Sequence, residues 1–104
     1  MTDSELSDFV IVRSRDAGVF FGKPVETDLV NGTVVLAAAR RVWYWSGAAT
    51  LSELANKGPG KPKACKFPAT TEGLHTVLGV CEIIPVTEAA LAVLESVPVW
   101  SENG

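Results

Sequence analysis

The residues best suited to chemistry lie together in Ala39-Arg40-Arg41-Val42-Trp43-Tyr44-Trp45. Two of the chain's three tryptophans and two of its four arginines fall in these seven positions. On a β-strand, Arg41, Trp43 and Trp45 share one face, and Arg40, Val42 and Tyr44 share the other. Each face then joins a guanidinium to an aromatic ring. An aromatic plane stacks on a purine, and an arginine fork takes phosphate oxygens two at a time. The same residues also suit a core role, with tryptophans filling it and arginines lying over their edges. The chemistry is that of nucleotide recognition, or of packing.

Other chemistries lack their parts. His75 is the only histidine, and no residue beside it announces a nucleophile. Cys65 and Cys81 stand sixteen positions apart without a Cys-x-x-Cys pair, so the usual zinc sites cannot be assembled. Both are expected reduced, with Cys81 a small core residue in an apolar strand. Glu82 has no acidic neighbour at strand spacing. Gly58-Pro59-Gly60-Lys61 resembles a phosphate loop only on the surface: the required glycine is Ala55, and Pro62 replaces the hydroxyl residue. Lys61, Lys63 and Lys66 remain as solvated loop charge that can touch an anion.

All nine Lys and Arg residues lie between Arg13 and Lys66, a segment with only four acids and a net +5. The flanks hold eight acids and no base, a net −8. The overall charge of −3 speaks against general nucleic-acid binding, whereas the basic middle suits a small anion such as a nucleotide. With 104 residues and 47% apolar content the chain has room for one folded domain. No apolar run approaches the roughly 20 residues of a membrane span. Asp3, Glu5 and Asp8 without any base make residues 1–8 an acidic, flexible leader rather than a signal peptide, and imply a cytoplasmic protein.

The elements that must position these side chains follow from local signals. Phe9 to Arg13 reads as a strand, and Val19 to Val25 as a second, with Pro24 marking an edge or an end. Asn31-Gly32 is a hairpin turn between Thr27–Val30 and Thr33–Leu36, and the strand after it is expected to run on to Trp45. Thr50-Leu51-Ser52-Glu53 is a capping box opening a short helix that Gly58 closes. Gly58 to Lys63 is then expected to be irregular, Leu74 to Ile84 a mostly buried strand stopped by Pro85, and Glu88 to Ser96 a helix capped by Thr87. The sum is one α+β domain over residues 9–100, with a largely antiparallel sheet and a polar tail at 101–104.

Val12-Arg13, Ala17-Gly18-Val19 with Phe21-Gly22, Ala39-Arg40-Arg41 with Trp43 and Trp45, and Glu82-Ile83-Ile84-Pro85 with Thr87 together form a wider pattern. It resembles a family of short phage and prophage proteins that includes the first type of Thoeris anti-defence protein. The likeness covers Phe9 to Trp100. It implies a non-enzymatic sponge, without cofactor or metal, that sequesters a cyclic ADP-ribose isomer made by bacterial TIR-domain defence enzymes. It further implies a homo-hexamer built from dimers, pockets between protomers, and separate sites for cyclic di- or trinucleotides in some members. Matched by motif, Arg13, Phe21, Arg40, Arg41, Trp43 and Trp45 are its candidate ligand-binding residues, with Asn56 in a similar Ala-Asn-x-Gly setting. The chain departs from the pattern at Arg15-Asp16, where Tyr or Ser is expected. A small structural or accessory protein of phage particles is the competing expectation.

Overall fold

Phe20 and Phe21 set the frame: successive strand residues point to opposite sides, and here both sides are buried. A computed structural model describes residues 5–101. The chain opens with three antiparallel strands, β1 (Leu6–Ser14), β2 (Gly18–Asp28) and β3 (Thr33–Arg41). Helix α1 (Leu51–Lys57), the short strand β4 (His75–Val77), β5 (Val80–Thr87) and helix α2 (Glu88–Glu95) follow. The five strands form one antiparallel sheet in the order β4-β3-β2-β1-β5. The α+β class expected from sequence is the observed one.

This order requires curvature. β4 and β5 occupy opposite edges, yet only Leu78 and Gly79 join them. Val77 and Val80 are therefore at most about 11 Å apart, whereas four strand spacings in a flat sheet span about 19 Å. The sheet therefore curls enough to bring the end of β4 near the start of β5. Val80 N–H donates to Gly32 C=O and Arg15 N–H to Gly79 C=O, both at 2.9 Å, fastening the seam. Gly79 makes this turn at φ +67°, a region costly for other residues.

Curling creates two cores. Val12, Phe20, Val34, Leu36, Ala39 and Val77 pack on the concave face without any helix residue. Ile11, Phe21, Phe67 and Val86 pack on the other face against Leu54 and Ala55 of α1 and Ala90 and Leu94 of α2. The helices carry the expected caps: Thr50 Oγ1 accepts from Glu53 N–H at 3.1 Å, and Thr87 Oγ1 from Ala90 N–H at 3.0 Å. Gly58 closes α1 by donating to Leu54 C=O.

Several sequence expectations are corrected. Leu6 to Asp8 belong to β1 rather than to a flexible leader, because Leu6 pairs with Thr87 and Ser7 Oγ donates to Val86 C=O at 2.7 Å. β3 stops at Arg41 because its partner strand starts at Gly18. Beyond Val42, whose N–H still reaches Val19 C=O, Trp43 and Tyr44 turn to Lys66 C=O instead. The Leu74–Ile84 strand is two strands broken at Leu78-Gly79, with Leu74 and Leu78 exposed, and β5 continues through Pro85 to Thr87. Proline is tolerated there because β5 is an edge strand. Pro62–Ala64 forms a single 3₁₀ turn inside the loop expected to be irregular. Cys81 is exposed: a register shift pairs Ser14 with Val80 and Arg13 with Glu82, leaving Cys81 bulged outward. Cys65 is the buried cysteine, and both are free thiols. Met1 to Ser4 and residues 102–104 of the expected leader and tail lie outside the described residues. No helix among the described residues is long and apolar enough to cross a membrane.

Candidate anion-binding site

Arg40 pairs across the sheet with Phe21, which fixes it on the helix-covered face. It is 6% exposed, an unusual state for a charge. Nε donates to Pro68 C=O at 2.9 Å and Nη2 to Phe67 C=O at 3.1 Å, while the guanidinium carbon lies 5.4 Å from the centre of the Phe67 ring. These bonds occupy one edge of the fork. Of its five N–H groups, both on Nη1 and the second on Nη2 have no acceptor among the described residues. No carboxylate of the described residues lies within 4.0 Å; the ion pair they form is Arg13–Glu82. Burial pulls the Arg40 pKa below its ordinary value, with no partner raising it. A guanidinium nevertheless stays charged at physiological pH. Its body is buried while the Nη1 edge, which has no protein acceptor among the described residues, opens to solvent, and such an edge can take an anion.

Arg40 lines a cavity of about 250 Å³ with Phe9, Phe21, Ala38, Thr70 and Glu95. The Phe9 and Phe21 rings are 6.4 Å apart and tilted by 43°, and Phe21 continues into Phe67 at 5.8 Å. These rings make the apolar wall. Ala38 holds φ +53°, the one non-glycine residue at positive φ among those described. Its strain comes from a bulge: β2 and β3 pair at Phe21–Arg40 and at Lys23–Ala37, so Ala38 and Ala39 together oppose Gly22. A side chain at Gly22 would stand 3.1 Å from Ala37 C=O and from Ala39 Cα, so the close approach requires glycine. The bulge thus places a left-handed alanine at the cavity wall.

The remaining sequence candidates lie elsewhere. Arg41 sits on the opposite face, donating from Nη1 to Ala17 C=O with its guanidinium carbon 4.4 Å from the Phe20 ring centre. Arg13 donates from Nε to Glu82 Oε1 at 3.0 Å; this bond raises its pKa. Trp43 is 64% exposed. Trp45 packs against the helix-side core and donates from Nε1 to Ala48 C=O at 3.1 Å. Asn56 is an exposed residue of α1 whose backbone C=O accepts from Thr87 Oγ1 at 2.8 Å. The fold thus brings Phe21 and Arg40 together in one cavity and leaves Arg13, Arg41, Trp43, Trp45 and Asn56 outside its lining. Phe9, Ala38, Thr70 and Glu95 were not singled out in sequence. Phe9 alone carried a signal, its two-residue spacing from Ile11.

A second, larger groove of about 620 Å³ is lined mainly by Val10, Pro24, Leu29, Val80 and Ile83. Its charged lining residue is Glu82, which is already ion-paired to Arg13.

The pattern of the known domain families now decides the relationship. Residues 7–94 match the model of a domain of unknown function, DUF6948. The chain belongs to the DUF6948 family. The match includes Phe9, Phe21, Ala38, Arg40 and Thr70 and ends one residue before Glu95. No curated protein and no solved structure matches this DUF6948 chain.

Proposed function

We propose that this DUF6948 chain is a non-enzymatic, phage-encoded immune-evasion protein that sequesters a cyclic ADP-ribose-type messenger made by TIR-domain defence enzymes. It acts in the cytoplasm of the infected bacterium as a homo-oligomer, a hexamer built from dimers. The observation that carries this reading is Arg40, a largely buried cation with a free fork edge, no carboxylate of the described residues within 4.0 Å, and the Phe9 ring beside it. A diphosphate supplies the missing counter-charge in two oxygens of matching geometry. Phe9, partly exposed and backed by the buried Phe21, rather than Trp43 or Trp45, offers the ring surface next to it. The cavity of about 250 Å³ falls below the roughly 300–1,000 Å³ of typical ligand sites, so a two-ribose messenger extends beyond one chain. That size favours a pocket completed by a second copy. Sequestration against a receptor requires nanomolar affinity, about −12 kcal/mol, which shared deep pockets supply.

Isothermal titration of the purified protein with cyclic ADP-ribose isomers, with linear ADP-ribose as control, tests the reading. Tight binding of a cyclic isomer, released intact on heating, is the expected result. Recovery of a cleaved product makes the protein an enzyme. No heat with any isomer overturns the proposal, and co-sedimentation with virions then favours a particle protein.

A further inference from the structure

Glu95 lines the same cavity as Arg40. It is the last residue of α2, where the carbonyl ends of the helix concentrate negative partial charge and favour a cation instead. No Lys or Arg among the described residues lies within 4.0 Å of its carboxylate. The cavity therefore holds a cation and an anion that do not touch. Phe67 and Pro68 carbonyls tether Arg40, and α2 carries Glu95 to the same cavity. Together with Ala38 at positive φ, three residues that break local rules converge on one small space. Such convergence is expected where stability has been traded for binding.

A molecule seated between these charges must present an anion to Arg40 and hydrogen-bond donors to Glu95. A phosphorylated ribose has this polarity, with phosphate oxygens at one end and vicinal hydroxyls at the other. Its weakly polar ring faces suit the Phe9 and Phe21 wall. We propose that Glu95 is a specificity residue that accepts hydrogen bonds from the hydroxyls of one ribose, while Arg40 holds the adjoining phosphate. The cavity is thereby a ribose-phosphate subsite, and the base lies outside it. This inference rests on the sponge reading and names the part of the messenger that the cavity reads. A site built to bond a hydroxyl rejects an analogue without it, because the acceptor is left unpaired.

The test is a titration cycle with the full-length protein. Its ligands are the tightest-binding cyclic ADP-ribose isomer and two analogues, each lacking the free hydroxyls of one ribose. The native protein should bind one analogue at least tenfold more weakly than the parent. Glu95→Ala should weaken the parent by a similar factor and no longer distinguish that analogue. Glu95 is exposed, so the variant should keep the native circular dichroism spectrum. If Glu95→Ala keeps the native discrimination while Arg40→Ala loses binding, the ribose assignment fails and the sponge reading stands. If the native protein binds no isomer, both fail together.

Discussion

Arg40 and Arg41 are adjacent in sequence and lie on opposite faces of the sheet. Arg40 is over Phe67 on the helix side and Arg41 over Phe20 on the concave side. Arg41 reaches an acceptor, Ala17 C=O, with Nη1, while both N–H groups on Nη1 of Arg40 are unused among the described residues. Both residues thus fasten backbone on their own faces, and Arg40, the proposed anion ligand, in addition keeps an open fork edge. Arg40→Ala should lower affinity for the anionic ligand by about 2–5 kcal/mol. Arg40→Lys should restore little, since an ammonium lacks the fork. Arg41→Ala should act mainly on thermal stability. Calorimetric titration beside thermal unfolding separates the two, and equal effects of both substitutions on affinity would refute the division.

Ala38→Gly relieves a left-handed alanine and should stabilise the protein by up to about 1 kcal/mol, the gain being reduced by glycine's greater unfolded-state entropy. Gly22→Ala should do the reverse, by about 1–3 kcal/mol, because its Cβ would press on backbone atoms of β3 that cannot rotate away. Denaturant unfolding measures both. If Ala38 is strained for the sake of the cavity, the glycine variant should also bind ligand less tightly.

Trp43 and Trp45 should separate in stability. Trp45→Ala removes a ring from the helix-side core and a hydrogen bond to Ala48, a loss of about 3 kcal/mol. Trp43→Ala should stay within about 0.5 kcal/mol of the native protein. If Trp43 stacks a base from its exposed position, the folded variant loses about 1–3 kcal/mol of affinity. Unchanged affinity assigns the base elsewhere.

Thiol labelling should distinguish the cysteines. Cys81 is exposed and should react in the native state at the rate of an accessible thiol. Cys65 is buried beside Ser46, whose backbone N–H donates to its Sγ at 3.4 Å, and should react only on unfolding. Mass spectrometry after brief labelling reads the difference; equal labelling would contradict the bulge that turns Cys81 outward.

Acid should loosen the β2–β3 turn first. Asn31 Nδ2–H donates to Asp28 Oδ2 at 2.7 Å, and Val30 and Asn31 N–H donate to Oδ1 at 3.1 Å each. These bonds, the Asn31 side chain's first, lower the Asp28 pKa. The folded value thus lies below the ordinary one of about 3.9. The stabilisation is fully present above that ordinary value and disappears as pH falls through the folded one. An NMR titration should find the Asp28 midpoint depressed, and Asp28→Asn should remove the pH dependence of the turn.

How much of this was legible in the chain depended on how local the cause was. Thr50, Gly58 and Thr87 act within one helical turn, so their caps could be read directly. The alternation that separates Arg40 from Arg41 is likewise local. The end of β3 was not legible, because it depends on where β2 begins and on Lys66 taking over as partner. Cys81 reads as core by its apolar neighbours, and only a register shift against β1 turns it out. Glu95 reaches the cavity through the docking of α2, which no spacing in the sequence announces. Arg40 was identifiable by residue type and Phe21 only through the family likeness, and their shared cavity needed the pairing between β2 and β3.

The two-residue join between β4 and β5 also bears on how much of this protein a cell can hold. If the protein acts as the proposed sponge, it is used up one site per messenger and must accumulate rather than turn over. Strand-rich proteins at high concentration risk stacking edge to edge. Here the curl draws together the joined ends of the two edge strands, β4 offers only three residues, and β5 breaks its row of donors with Pro85 and the outward bulge at Cys81. The seam that shapes the barrel-like core is thereby also a safeguard against aggregation.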